Sequence, residues 1–330
     1  MSARSTRRRF LAQVGAAAVG ALVPWRKAGG TVGQEPRRAR VIIARDEALA
    51  KGDLGAQRDR LARLLDAAPQ KLADAPDAPS AWRRYFKPNE RVGLKVNALG
   101  HPTSPAVAEA IAAGLSQAGI RPENVIIWDR FDVELGNAGY KLNRSGGGVR
   151  CYGTDADRIG RGYQQEVQKQ GAIGSCYSRI LADQIDALIS VPVLKDHNLA
   201  GVSLGMKNFY GAIHNPNKYH ENNCDPFVAD VVSHPYIRTR WRLTICDATV
   251  AQYNAGPGKH PGFAWPLGAL IVSDDFVAAD AVAADLLEQK RKEAGLKSLA
   301  EENRPARHIA TAGARGLGVA DLSRIERIEV

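Results

Sequence analysis

The 330-residue chain has four cysteines, Cys151, Cys176, Cys224 and Cys246, and no C-x-x-C pair. That spacing removes the basis for a zinc ribbon or a local iron–sulfur run, so an intrinsic iron–sulfur cluster is not expected. The chain also lacks G-x-G-x-x-G, a P-loop and H-E-x-x-H, which excludes the commonest dinucleotide, nucleotide and zinc-protease signatures. No repeat recurs at solenoid spacing. Beyond the first residues no segment approaches the ~20 apolar residues that cross a bilayer, so no membrane span is expected there. Acid is missing from residues 1–30, which hold Arg4, Arg7, Arg8, Arg9, Arg26 and Lys27; without them the net charge falls from +10 to 10 − 6 = +4. A surplus that small gives no electrostatic case for nucleic acid.

What is present is core-forming. Apolar residues make up 45% and charged residues 24% of the chain, a globular composition. At the start, Thr6-Arg7-Arg8-Arg9-Phe10-Leu11 matches the twin-arginine export pattern [ST]-R-R-x-F-L. A weakly apolar stretch over 10–23 and the pair Arg26-Lys27 complete the anatomy of a signal segment. Residues 1–30 are therefore expected to be an export signal read by the twin-arginine translocation machinery, with the mature protein periplasmic. Val19-Gly20-Ala21 offers a small-residue cleavage site, and an uncleaved anchor is the alternative. Export in folded form allows a metal ion or metal complex to be acquired beforehand. In an oxidising compartment four cysteines permit up to two disulfides, in three pairings. Cys246, inside an apolar run, reads as a small buried hydrophobe.

After a linker over 31–40, residues 41–330 alternate strand and helix patterns. Strands are expected at 41–44, 91–97, 124–128, 186–193, 242–246, 267–272 and 325–330. Helices are expected at 54–74, 104–118 and 274–294, with a helical turn at 180–184. Ser104-Pro105 supplies an N-cap and first-turn proline, and Asp274 or Asp275 caps the last helix. The pattern predicts a single α/β domain: a layered sandwich with a mainly parallel sheet and helices on both faces. Residues 129–174 read as an insertion with irregular or short-strand content, a lid over the sheet edge.

The polar residues cluster after strands. Lys95-Val-Asn97 ends one strand and leads through His101 and Thr103 to a helix. Lys195 and His197 end another, followed by Gly201–His214. Placed on a helix, Ser203, Lys207, Tyr210 and His214 share a face, and the helix start would attract anions. Asp247 ends a third strand. Open α/β sheets place ligands at this carboxyl edge. The predicted cleft for a small anion therefore contains Lys95, Asn97, Thr103, Lys195, His197, Ser203, Lys207, Asn208 and Asp247. Lys207 and Lys95 would neutralise charge, His197 would transfer a proton, and Ser203 and Asn208 would orient the ligand. A metal ligand would instead take His197, His214 and Asp247 as donors. The other classes weighed are a non-catalytic partner in an exported iron–sulfur or haem redox system, and a scaffold whose polar stripe faces solvent.

These residues resemble the domain of unknown function 362 family. Lys95-Val-Asn97, the run 186–195, His197, Gly201-Val-Ser-Leu-Gly-Met-Lys-Asn208 with Gly211, and the run 272–280 carry the likeness, over roughly residues 40–330. Family members are described alongside iron–sulfur proteins, and some append a ferredoxin-type module. This chain has no clustered cysteines to match that. A turn at Thr103-Ser104-Pro105 is loosely similar to the lactate racemase-type N-terminal domain.

Overall fold

A computed structural model describes residues 38–156 and 162–330. The twin-arginine pattern and residues 31–37 of the 31–40 linker lie outside the described residues. The strands are β1 (Ala39–Arg45), β2 (Val92–Val96), β3 (Val125–Trp128), β4 (Arg150–Cys151), β5 (Gln168–Gln170), β6 (Ile173–Ser175), β7 (Ala187–Val191), β8 (Val193–His197), β9 (Gly201–Val202), β10 (Trp241–Gln252), β11 (Ala264–Trp265), β12 (Ala269–Ser273) and β13 (Ile325–Glu329). The helices are α1 (Arg58–Ala73), α2 (Ala78–Tyr85), α3 (Pro105–Gln117), α4 (Asp132–Asn137), α5 (Phe227–Ser233), α6 (Pro235–Arg238), α7 (Phe276–Glu293) and α8 (Arg307–Ala314).

The main sheet runs β13-β1-β12-β10-β7-β2-β3-β4, and only β12 is antiparallel to its neighbours. It is mainly parallel, as expected, with helices on both faces. Alternation along the strands feeds two cores. Ile42, Leu94, Ile127, Ile189 and Ile245 pack with Leu61, Leu65, Trp82 and Ile111 of α1–α3. Val41, Ile43, Trp128, Leu188 and Cys246 pack on the other face with Val277, Val282 and Leu287 of α7 and Ile309 of α8. Period-two side-chain alternation makes this division automatic.

Local signals explain the helix ends. Pro105 opens α3, where its missing N–H costs nothing. Asp275 caps α7 by accepting from the amides of Val277 and Ala278, and Gly295 leaves it at φ +71°.

Four expectations are corrected. Residues 201–214 form no α-helix: β9 pairs with β8, and a 3₁₀ segment follows at Lys207–Ala212. Gly201 sits at φ +76°, outside helical space, so the shared helical face and its dipole do not exist. The strand expected at 242–246 continues to Gln252 as β10. Within 129–174, the segment expected as a lid with irregular or short-strand content, β4 extends the sheet beside β3 instead of covering its edge, and β5–β6 form a separate hairpin. All four cysteines are free thiols; Cys246 is buried, as read from its apolar surroundings.

Candidate functional site

At the carboxyl ends of β2, β3 and β8 lies a cleft of about 330 Å³. Its floor begins with a choice of face. In β2, Val92, Leu94 and Val96 point into the core beneath α1–α3, which sends Lys95 the other way. Lys95 stands in register between Trp128 and Ser190 on the neighbouring strands. It is 1% exposed, so its ammonium needs full compensation. Nζ donates to Asp129 Oδ1 at 2.5 Å, to the Val96 carbonyl at 2.7 Å and to Asn208 Oδ1 at 3.1 Å. Burial lowers the pKa of Lys95, and Asp129 opposes that shift. Asn208 is equally spent: its Nδ2 donates to the Lys95 carbonyl and to Ser190 Oγ. Gly211 closes over the ion pair. A Cβ there would lie 2.5 Å from Asp129 Oδ1 and 2.9 Å from Lys95 Nζ, so only glycine fits.

Lys195, in β8, forms one side. Its Nζ donates to Asn97 Oδ1 and to the carbonyls of Leu99 and His101, all at 2.7–2.9 Å. Burial pulls its pKa down to about 7, against three oxygens that only the ammonium form satisfies together. Next to it, Asp196 turns away to pair with Arg304 at 2.8 Å, and Arg304 also donates to the His197 carbonyl, bracing the strand end.

His197 faces the cleft in one tautomer. Its Nδ1 accepts from the backbone amides of Leu199 and Ala200, so the ring proton sits on Nε2. Burial, with Lys207 and His220 nearby, keeps its pKa far below the ordinary histidine range. The ring is thus set up as a neutral donor rather than the proton carrier expected from sequence.

The opposite wall is Lys207 and His220. Asp280 of α7 accepts from the amides of Gly205 and Met206, fixing the turn that presents Lys207. Lys207 is 7% exposed and has no carboxylate partner among the described residues. Its Nζ lies 3.8 Å from the centre of the Tyr210 ring and 3.1 Å from His220 Nε2. His220 Nδ1 lies 3.1 Å from the Pro216 carbonyl, which can only accept, so Nδ1 carries the proton and Nε2 is left as an acceptor toward Lys207. Desolvation lowers Lys207 to about 8, and desolvation together with Lys207 lowers His220 to about 4.

Of the residues expected at the site, Lys95, Asn97, Lys195, His197, Ser203, Lys207 and Asn208 line this one cleft. Thr103 and Asp247 do not. Thr103 Oγ1 donates to the Val191 carbonyl and accepts from the Asn97 amide, holding the turn after β2. Asp247 is buried in mid-strand and accepts from the amides of Ser104 and Thr249. His214 is exposed and lies edge-on to Tyr163, outside the cleft lining. His197, His214 and Asp247 are therefore not brought together as metal donors. Among the described residues no group of three or more His, Cys, Asp or Glu is placed to hold a metal ion.

Sequence reasoning missed Asp129, Arg130, Glu134 and His220, all in the lining. Asp129 was findable, because it follows its strand at the same edge as Asn97. In total the lining carries four cationic side chains (Lys95, Lys195, Lys207, Arg130) against two carboxylates (Asp129, Glu134). One of the two, Asp129, is committed to Lys95.

Fold and cleft together define an α/β protein with a basic, amide-lined recess beside the carboxyl ends of a mainly parallel sheet. Residues 86–285, more than half of the chain, match the family model described as Domain of unknown function (DUF362), and the chain belongs to that family. A crystal structure of a protein from Thermotoga maritima matches with 12% identity and a TM-score of 0.43, over 64% of this chain and 58% of that one. The chain thus spans less than two thirds of that protein's length. No curated protein matches it. Among the described residues no helix is long and apolar enough to cross a membrane.

Proposed function

We propose that the cleft binds a small anion, with Lys207 as its principal charge partner. The observation that carries this reading is the buried ammonium of Lys207, which meets an imidazole and an aromatic ring and, among the described residues, no carboxylate. A buried cation without a counter-charge is costly, and an anion entering the recess would supply one. Lys95 and Lys195 add field at short range but have all three donors engaged. His197 Nε2–H and Ser203 are the neutral groups suited to orienting the ligand. A low-dielectric recess strengthens each of these contacts.

Calorimetric titration with oxalate at pH 7 tests the reading. Saturable binding is expected in the wild-type protein. Lys207→Met should abolish it while leaving the unfolding midpoint within a few degrees, because replacing a buried charge by an apolar side chain is often neutral or stabilising. Unchanged binding in the variant would end the proposal.

We further propose that the protein is exported folded, on the strength of Thr6-Arg7-Arg8-Arg9-Phe10-Leu11. Cell fractionation of an Arg7→Lys, Arg8→Lys variant should find it retained in the cytoplasm; periplasmic accumulation of that variant would contradict the assignment.

A further inference from the structure

Three lysines reach one recess, and their hydrogen bonds separate them. An ammonium has three donors. Lys95 gives its three to Asp129, Val96 and Asn208. Lys195 gives its three to Asn97, Leu99 and His101. Lys207 is different: its partner is a nitrogen, His220 Nε2, which accepts a proton and offers none. Losing a proton would strip Lys95 or Lys195 of one of its three bonds to oxygen. Lys207 can lose one without leaving an oxygen unmatched.

We propose that Lys207 is an imine-forming amine that attacks the carbonyl carbon of a small 2-oxo carboxylate held in the cleft. The proposal rests on the anion-binding reading, since the carboxylate must be held beside the amine. The steps balance without any redox partner. Lys207 sheds a proton through His220 Nε2, and the free amine forms a C–N bond to the carbonyl carbon. The carbonyl oxygen takes up the proton that the attacking nitrogen sheds on forming the bond, which gives a neutral carbinolamine. That hydroxyl then leaves as water, breaking the C–O bond, with the proton returned through His220. The products are the protonated imine and one water. Desolvation of the amine and a neighbouring acceptor are the two conditions a lysine nucleophile needs. Burial supplies the first by drawing Lys207 down to about 8, and it keeps His220, at about 4, free to accept near neutral pH. His197 Nε2–H is the donor available to the carboxylate. The recess, about 330 Å³, is of a size that encloses a small metabolite.

The experiment is reductive trapping of the full chain. Protein is incubated at pH 7.5 with pyruvate, and separately with 2-oxoglutarate, in cyanoborohydride, and digested for peptide mapping. The expected result is a reduced adduct on Lys207 with at least one of the two acids. Oxalate should suppress it, since oxalate occupies the same place without a ketone. His220→Phe should slow its formation by roughly 100-fold. The map is read on the wild-type protein, so it does not depend on a Lys207 variant folding. Oxalate binding with no adduct on Lys207 overturns imine formation and leaves anion binding standing. Neither binding nor adduct overturns both. Adducts spread over surface lysines, or on Lys95 or Lys195, overturn the assignment to Lys207.

Discussion

The two faces of strand β2 are equally buried and chemically opposed. Val92, Leu94 and Val96 pack in the apolar core under α1–α3, whereas Lys95, between two of them in sequence, sits in a network of ammonium, carboxylate and amide groups. The first face is finished: each side chain is covered and nothing more is needed. The second is finished around Lys95 and Lys195 and unfinished around Lys207, where a buried cation lacks an opposing charge among the described residues. Burial alone therefore does not distinguish core from site. Completeness of partnering does.

Two substitutions sharpen that contrast. Asp129→Asn leaves Lys95 buried without a counter-ion and should cost about 3–5 kcal/mol, read as a shift in the denaturant midpoint at constant slope. Leu94→Ala, at the neighbouring position on the apolar face, should cost about 2–5 kcal/mol through lost burial and a residual cavity. Should Asp129→Asn prove neutral, the Lys95 network would not be the closed unit described. A smaller effect distinguishes Lys207 through pH. Its folded-state pKa, about 8, lies below the ordinary lysine value of 10.5, so the unfolded chain binds more protons between those values. Stability then rises with pH across that window. Wild-type protein should gain on Lys207→Met between pH 8 and pH 10.5 in paired denaturant titrations. A constant difference would mean that Lys207 is not desolvated.

Much of this arrangement is legible in the sequence, for physical reasons. Lysines and asparagines placed directly after apolar runs converge because parallel strands end at one edge, and Lys95, Asn97, Lys195 and His197 followed that rule. Asp247 broke it because β10 runs on to Gln252, so the residue is mid-strand. The segment 201–214 was misread as a helix since spacing carries no record of backbone sign. Gly201 needs positive φ, Gly205 makes room for Asp280, and Gly211 makes room for the Lys95–Asp129 pair. Glycines that only weaken a helical pattern on paper are here the condition for close approach. His220 stood in view within His214-Asn-Pro-Asn-Lys-Tyr-His220, but a hydrogen bond from its Nδ1 to a carbonyl four residues back cannot be read from spacing.

The most direct test of the account is the titration of the Lys207 amine itself. In protein carrying ¹⁵N-labelled lysine, with the resonance assigned by its absence from Lys207→Met, the Nζ shift is followed from pH 5 to pH 11, with and without oxalate. The account predicts a midpoint of about 8 in the free protein and an upward move when oxalate binds, because an anion favours the charged form. A midpoint at the ordinary lysine value, indifferent to oxalate, would contradict it.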